Sequence, residues 1–147
     1  MSKGRRPIEI LLVEDSPGDA RLTAEALKHS KIINNLHVAR DGREAMKFLR
    51  REGKAADAPR PDLILLDLNL PRMDGREVLE SIKNDDDLKM IPVVIMTTSR
   101  DEKDVKASYA AHANCYIRKP LDVSGFFDVV NSIENFWFEM VVLPTDL

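Results

Sequence analysis

Asp62-Leu63-Ile64-Leu65-Leu66-Asp67 decides the fold class. Four aliphatic residues in succession, closed by an acid at each end, offer no face to water. The stretch therefore reads as a short strand buried on both sides, as in a parallel sheet. Ile8-Glu9-Ile10-Leu11-Leu12-Val13 and Ile91-Pro92-Val93-Val94-Ile95-Met96-Thr97 have the same character. Leu36-His37-Val38-Ala39 and Cys115-Tyr116-Ile117 are weaker strand candidates.

Helical patterns fill the intervals. Ser16-Pro17 reads as an N-cap followed by the first helical residue, with Leu22, Ala26 and Leu27 on one face. Asp41-Gly42 opens a segment carrying Ala45, Met46, Phe48 and Leu49. Gly75 to Lys83 spaces Val78, Leu79 and Ile82 helically, Asp101 to His112 is charged and then alanine-rich, and Phe126, Val129, Val130, Ile133 and Phe136 form a last amphipathic helix. Strand and helix alternate five times. Right-handed crossovers then give an α/β, doubly wound parallel sheet with helices on both faces; the expected architecture is a flavodoxin-like (βα)5 sandwich with its five strands in the order 2-1-3-4-5. Residues 1–147 read as one domain, with its core at about 8–138 and an apolar tail at 139–147, and Arg51 to Pro61 as an exposed linker.

The 147 residues suit a single domain. Twenty-two basic and 25 acidic residues leave a net charge of −3, and no basic run is present, which argues against nucleic acid as a partner. At 44% hydrophobic residues the chain can build a core, yet no apolar stretch approaches the ~20 residues of a membrane span. The one cysteine, Cys115, excludes an internal disulfide and a cysteine metal cage. The expectation is a soluble, cytoplasmic domain. His29, His37 and His112 lie too far apart on different elements to form a metal cluster.

Acids cluster at strand C-terminal ends. Glu14 and Asp15 follow the first strand and Asp67 the third, and these strands adjoin across the topological switch point, where sites form. Converging carboxylates repel unless a cation intervenes. Two cations suit: a hard divalent ion such as Mg²⁺, which takes oxygen ligands, and Lys119 at the end of the fifth strand. Thr97 ends the fourth strand and brings a hydroxyl. This set suits phosphoryl chemistry: Asp67 as nucleophile, the metal and Lys119 as charge neutralisers, and Thr97 as a donor to a phosphoryl oxygen. Taken singly, Asp15 could be a helix cap, Lys119 a solvated charge and Thr97 a capping hydroxyl. Five such positions at one sheet edge favour the joint reading.

The segments Leu12-Val13-Glu14-Asp15, Leu65-Leu66-Asp67-Leu68-Asn69-Leu70-Pro71 with Asp74-Gly75, Met96-Thr97-Thr98 and Lys119-Pro120 resemble the receiver domain of two-component response regulators, over about residues 8–138. The resemblance implies that Asp67 is the phosphorylated aspartate and that Glu14 and Asp15 are the acidic pair for Mg²⁺, with the backbone carbonyl of Asn69 completing the metal site. Thr97 falls at the switch hydroxyl, Lys119 at the phosphate-binding lysine and Tyr116 at the switch aromatic. Lys119-Pro120 falls where receivers often carry a cis peptide. Glu14 replaces the commoner Asp of the pair. Receivers take phosphate from a phosphohistidine on a partner histidine kinase and then alter the surface of the fourth and fifth helices and the fifth strand. The linker at Arg51–Pro61, the Asn84–Lys89 segment, Cys115-Tyr116 and the final aromatic run resemble single-domain receivers that work with phytochrome-type kinases. For Tyr116, a half-buried packing role stays open beside the switch role.

The chain stops nine residues after Phe138, so output is expected through contacts of the receiver itself. Phe136, Trp137 and Phe138, followed by Val141, Val142 and Leu143, are expected to form a homodimer patch; the alternative is a tail that folds back on its own core. Ala20, Thr23, Ala24 and Leu27 on the first helix are candidates for a kinase docking face. Two other functions compete. A Mg²⁺-dependent aspartyl-phosphate phosphatase of the haloacid-dehalogenase type would carry an acid/base Asp where this chain has Asn69, and a cap domain that is missing here. A pseudo-receiver, a binding module that never takes phosphate, should lack the acceptor, the lysine or the acidic pair, and this chain has all of them.

Overall fold

The computed structural model describes residues 6–146. Its elements alternate as the apolar runs require: β1 (Ile8–Val13), α1 (Pro17–Lys28), β2 (Asn34–Ala39), α2 (Gly42–Arg50), β3 (Leu63–Leu66), α3 (Gly75–Lys83), β4 (Val93–Thr97), α4 (Glu102–Ala110), β5 (Cys115–Arg118) and α5 (Val123–Ile133). All strand pairs are parallel and the sheet order is β2-β1-β3-β4-β5.

The alternation of side chains along each strand sorts the core into two layers. Leu11, Val13, Ile64, Leu66, Val93 and Ile95 pack with Ala45, Met46 and Leu49 of α2 and Val78, Leu79 and Ile82 of α3. Ile10, Leu12, Leu63, Leu65, Val94 and Met96 face the other way, onto Ala26 and Leu27 of α1 and Phe126, Val130 and Ile133 of α5. Burial on both faces is why β1, β3 and β4 read as unbroken apolar runs.

The helix starts follow capping chemistry. Ser16 accepts from the Asp19 N–H, Asp41 from Glu44, Asp74 from Arg76, Asp101 from Lys103 and Asp122 from Gly125. Gly75 has a further role, because a Cβ there would stand 2.1 Å from the backbone carbonyl oxygen of Asp67. Only a residue without a side chain lets α3 begin this close to the end of β3. The linker is less irregular than expected: Arg51 ends α2 in the left-handed region and Gly53–Ala55 form a 3₁₀ turn.

The last helix corrects two expectations. Its α-helical part stops at Ile133, and Glu134–Met140 continue as a π-helical turn, with the Val141 N–H donating to the Phe136 carbonyl at 2.9 Å. This turn separates Phe136, Trp137 and Phe138, which the sequence places together in one expected dimer patch. Phe138 is fully buried among Ile8, Ile10, Ile133 and Leu143, so its ring belongs to the chain's own core and is unavailable to a second copy. Phe136 is half exposed and meets Trp137 edge to face, with exposed Met140 and Val142 nearby in sequence. The Lys119–Pro120 peptide is also trans, as is every peptide bond among the described residues. An X–Pro bond favours trans by roughly 0.5–1 kcal/mol.

Candidate functional site

Pairing in register sets the site. Val13 lies opposite Leu66, so the residues that follow them, Glu14 and Asp67, leave the sheet side by side. The Asp67 N–H donates to the Val13 carbonyl at 3.1 Å and the Glu14 N–H to the Ala39 carbonyl at 2.9 Å. Because Ser16 caps α1, Asp15 is relieved of that role and stands exposed at the sheet edge. Carboxylate oxygens of Glu14, Asp15 and Asp67 lie within 4.8 Å of one another. Three oxygen donors at this spacing suit a hard divalent cation.

Asp67 is nearly buried and has a partner on each oxygen. Oδ1 accepts from the Thr97 hydroxyl at 2.7 Å and from the Asn69 N–H at 3.1 Å. Oδ2 accepts from the Lys119 ammonium at 2.9 Å. Lys119 reaches Asp67 from the end of β5, with only 5% of its side chain exposed. The ammonium also donates to Glu14 Oε1 and, at 2.9 Å, to Asp19 Oδ2. All three of its N–H groups thus end on carboxylates.

The electrostatics follow from burial and from this clamp. Burial pushes the Glu14 carboxyl up to about 7, against the opposing pull of Lys119 and with some help from the Asp67 charge. Burial alone would lower Lys119, but its bonds to Asp19 and Glu14 and the Asp67 charge reverse that and hold the ammonium protonated. The site therefore gathers negative charge around one fixed cation.

Beyond the edge, the β4–α4 loop is tied down. The Ser99 N–H points at the Thr97 hydroxyl at 3.4 Å, the Ser99 hydroxyl donates to Asp104 Oδ2 at 2.5 Å, and the Tyr116 hydroxyl donates to the Ser99 carbonyl at 3.2 Å. The half-buried Tyr116 ring packs on the α3 side of the sheet. The structure brings together Glu14, Asp15, Asp67, Thr97 and Lys119, with Tyr116 joined through Ser99; Asn69 meets Asp67 through its backbone N–H, whereas the expectation concerned its carbonyl. Asp19 and Asp104 were missed. Asp19 was legible in part, since it lies on the first turn of a helix that starts at this edge; nothing local marks Asp104 as a partner of Ser99.

The family description "response regulator receiver domain" matches residues 10–131. The chain belongs to the response regulator receiver family. Its relatives include response regulator Rcp1 of Synechocystis, 55% identical over 138 residues that cover 94% of each chain. The probable methanogenesis regulatory protein FilR2 of Methanothrix harundinacea is 39% identical and covers 89% of this receiver and 84% of FilR2. Among solved structures, the phosphorylated cyanobacterial phytochrome response regulator RcpA superposes with a TM-score of 0.92 at 52% identity, covering 95% of this receiver and 99% of RcpA. The Mn²⁺-bound form of Rcp1 superposes with a TM-score of 0.91 at 55% identity, covering 94% and 99%. These relatives are regulators, and the receiver shares their fold over the 94–95% of its length that superposes.

Proposed function

We propose that this receiver accepts a phosphoryl group onto Asp67 from a phosphohistidine of a histidine kinase. The observation that carries the reading is the Asp67 carboxylate, buried between the Thr97 hydroxyl and the Lys119 ammonium and flanked by Glu14 and Asp15. A carboxylate is ionised at neutral pH and needs no general base. Its oxygen forms the new bond to phosphorus as the P–N bond breaks, and the bonding pair leaves with the imidazole. Mg²⁺, held by Glu14, Asp15, Asp67 and the Asn69 carbonyl, supplies neutralisation of the transferring group when bound. Lys119 holds a second oxygen of that group. Thr97 exchanges its bond to Asp67 for one to a phosphoryl oxygen, and Ser99 and Tyr116 carry the change to the α4–β5 surface as a shift between two populated arrangements.

The relatives named as phytochrome response regulators support a phytochrome-type histidine kinase as the partner; the place of action in this reading is the cytoplasm. Half-exposed Phe136 with Met140 and Val142 supports a homodimer as the output form. Neither nucleic acid nor a membrane is part of this reading.

The test is incubation with Mg²⁺ and acetyl phosphate, followed by intact-mass measurement. One added phosphoryl group, lost in Asp67→Asn, supports the reading. Steady phosphate release at enzymatic rates would move the protein to the phosphatase class, and no modification at all would make it a pseudo-receiver.

A further inference from the structure

We infer that Asp19 is a positioning residue that holds the Lys119 ammonium at the point where it meets the incoming phosphoryl group. The inference deepens the proposed function and rests on it. Of the three carboxylates around the ammonium, Asp67 is the acceptor, so its bond to Lys119 must be exchanged for one to phosphate during the reaction. Glu14 belongs to the set of oxygens that face the cation space. Asp19 stands outside that set, and its bond to Lys119 at 2.9 Å can persist while the other two change.

The rest of Asp19 is fixed by the helix. Its N–H caps onto the Ser16 hydroxyl at 3.2 Å and its carbonyl accepts from the Thr23 hydroxyl at 2.9 Å. The side chain therefore starts from a rigid first turn and spans from α1 to the end of β5, a hundred residues away in sequence. A lysine side chain has four rotatable bonds and loses considerable entropy when held. An anchor outside the reacting groups meets that cost before phosphate arrives, which is positional catalysis of a modest kind. With about a third of its carboxylate side chain exposed, Asp19 is also the member of the clamp closest to solvent.

The experiment compares wild type, Asp19→Asn and Asp19→Glu in three measurements. Phosphorylation by acetyl phosphate, which needs no kinase contact, is expected to slow about tenfold in Asp19→Asn, the scale of one charge-assisted hydrogen bond, and to recover largely in Asp19→Glu. Mg²⁺ affinity by calorimetry and the melting temperature are expected to stay near wild type. In the metal-free protein, nitrogen-detected NMR should show slow proton exchange at the Lys119 ammonium in wild type and several-fold faster exchange in Asp19→Asn. Three results overturn the inference: unchanged ammonium exchange in Asp19→Asn, a wild-type phosphorylation rate in that variant, or slowing matched by an equal loss of metal affinity, which would make Asp19 part of the metal site. The NMR arm needs no phosphorylation, so wild-type protein that takes no phosphate counts against the proposed function alone.

Discussion

Arg76 and Asp104 form a two-pronged ion pair, Nε to Oδ1 at 2.9 Å and Nη2 to Oδ2 at 2.8 Å, that joins the start of α3 to α4. The same Asp104 carboxylate takes the Ser99 hydroxyl, and Arg76 with Ser99 holds it below the usual carboxylate range. The pair fixes the loop that lies between Thr97 and the α4 surface. Arg76→Ala is expected to cost at most about 1 kcal/mol of stability, as for other solvent-facing pairs. Its larger effect falls on the loop: amide exchange from Ser99 to Asp101 should rise several-fold while that of β3 and β4 is unchanged. Equal protection of the loop in both proteins contradicts this role.

Gly75 should tolerate no side chain. Alanine there places a Cβ against the Asp67 carbonyl oxygen, and the loop after β3 must shift to relieve it. The expected cost is about 1–3 kcal/mol in urea unfolding, as for overpacking elsewhere. Phosphorylation of Asp67 should slow as well, since the displaced backbone carries the acceptor.

Phe136 and Phe138 should separate in their effects. Phe138→Ala opens a cavity in the core and is expected to destabilise by about 3–5 kcal/mol. Phe136→Asp should leave the melting temperature close to wild type and abolish any concentration-dependent dimer seen by size exclusion. A dimer that survives Phe136→Asp places the interface elsewhere.

Acid should loosen the molecule at Asp62. Burial would raise this carboxyl, but Arg6, Thr145 and the Glu9 N–H outweigh it and hold the group below its ordinary value. A depressed carboxylate adds stability that is fully present above its unfolded value of about 3.9 and is lost as pH falls through the folded one. The melting temperature of wild type should therefore drop below about pH 4, with a shallower fall in Asp62→Asn, whose stability at pH 7 should already be lower by about 1–3 kcal/mol.

Glu134 should behave in the opposite sense. Burial, and then the Glu139 charge, raise its carboxyl against the weaker pull of Ser30 and His29, and Oε1 has no hydrogen-bond partner among the described residues. A raised carboxyl favours the fold at low pH and withdraws that support as pH climbs past about 4.3, the unfolded value. Glu134→Gln is expected to melt higher than wild type at pH 7 and to match it near pH 4.

The sheet was legible because β1, β3 and β4 are buried on two sides, which leaves continuous apolar runs closed by the acids that make the site. Glu14, Asp15, Asp67, Thr97 and Lys119 could be placed from sequence because each ends a strand, and strand ends in this topology share one edge. Asp19, Asp104 and Arg76 act through side chains that cross between elements, and residue spacing along one element carries no record of that. The π-helical turn is illegible in the sequence for a related reason: Phe136, Trp137 and Phe138 look alike in composition, and only the backbone rotation after Ile133 decides which ring is covered.

Asp62 stands at the opposite end of β3 from Asp67, and it gathers Arg6 and Thr145 from the two extremities of the described fold. Joining those extremities through a short flexible peptide and opening the molecule within residues 53–59 should therefore preserve the rim that carries Asp67. A fluorophore or fused module attached near either extremity would sit on the far pole of the sheet, out of the way of an approaching kinase.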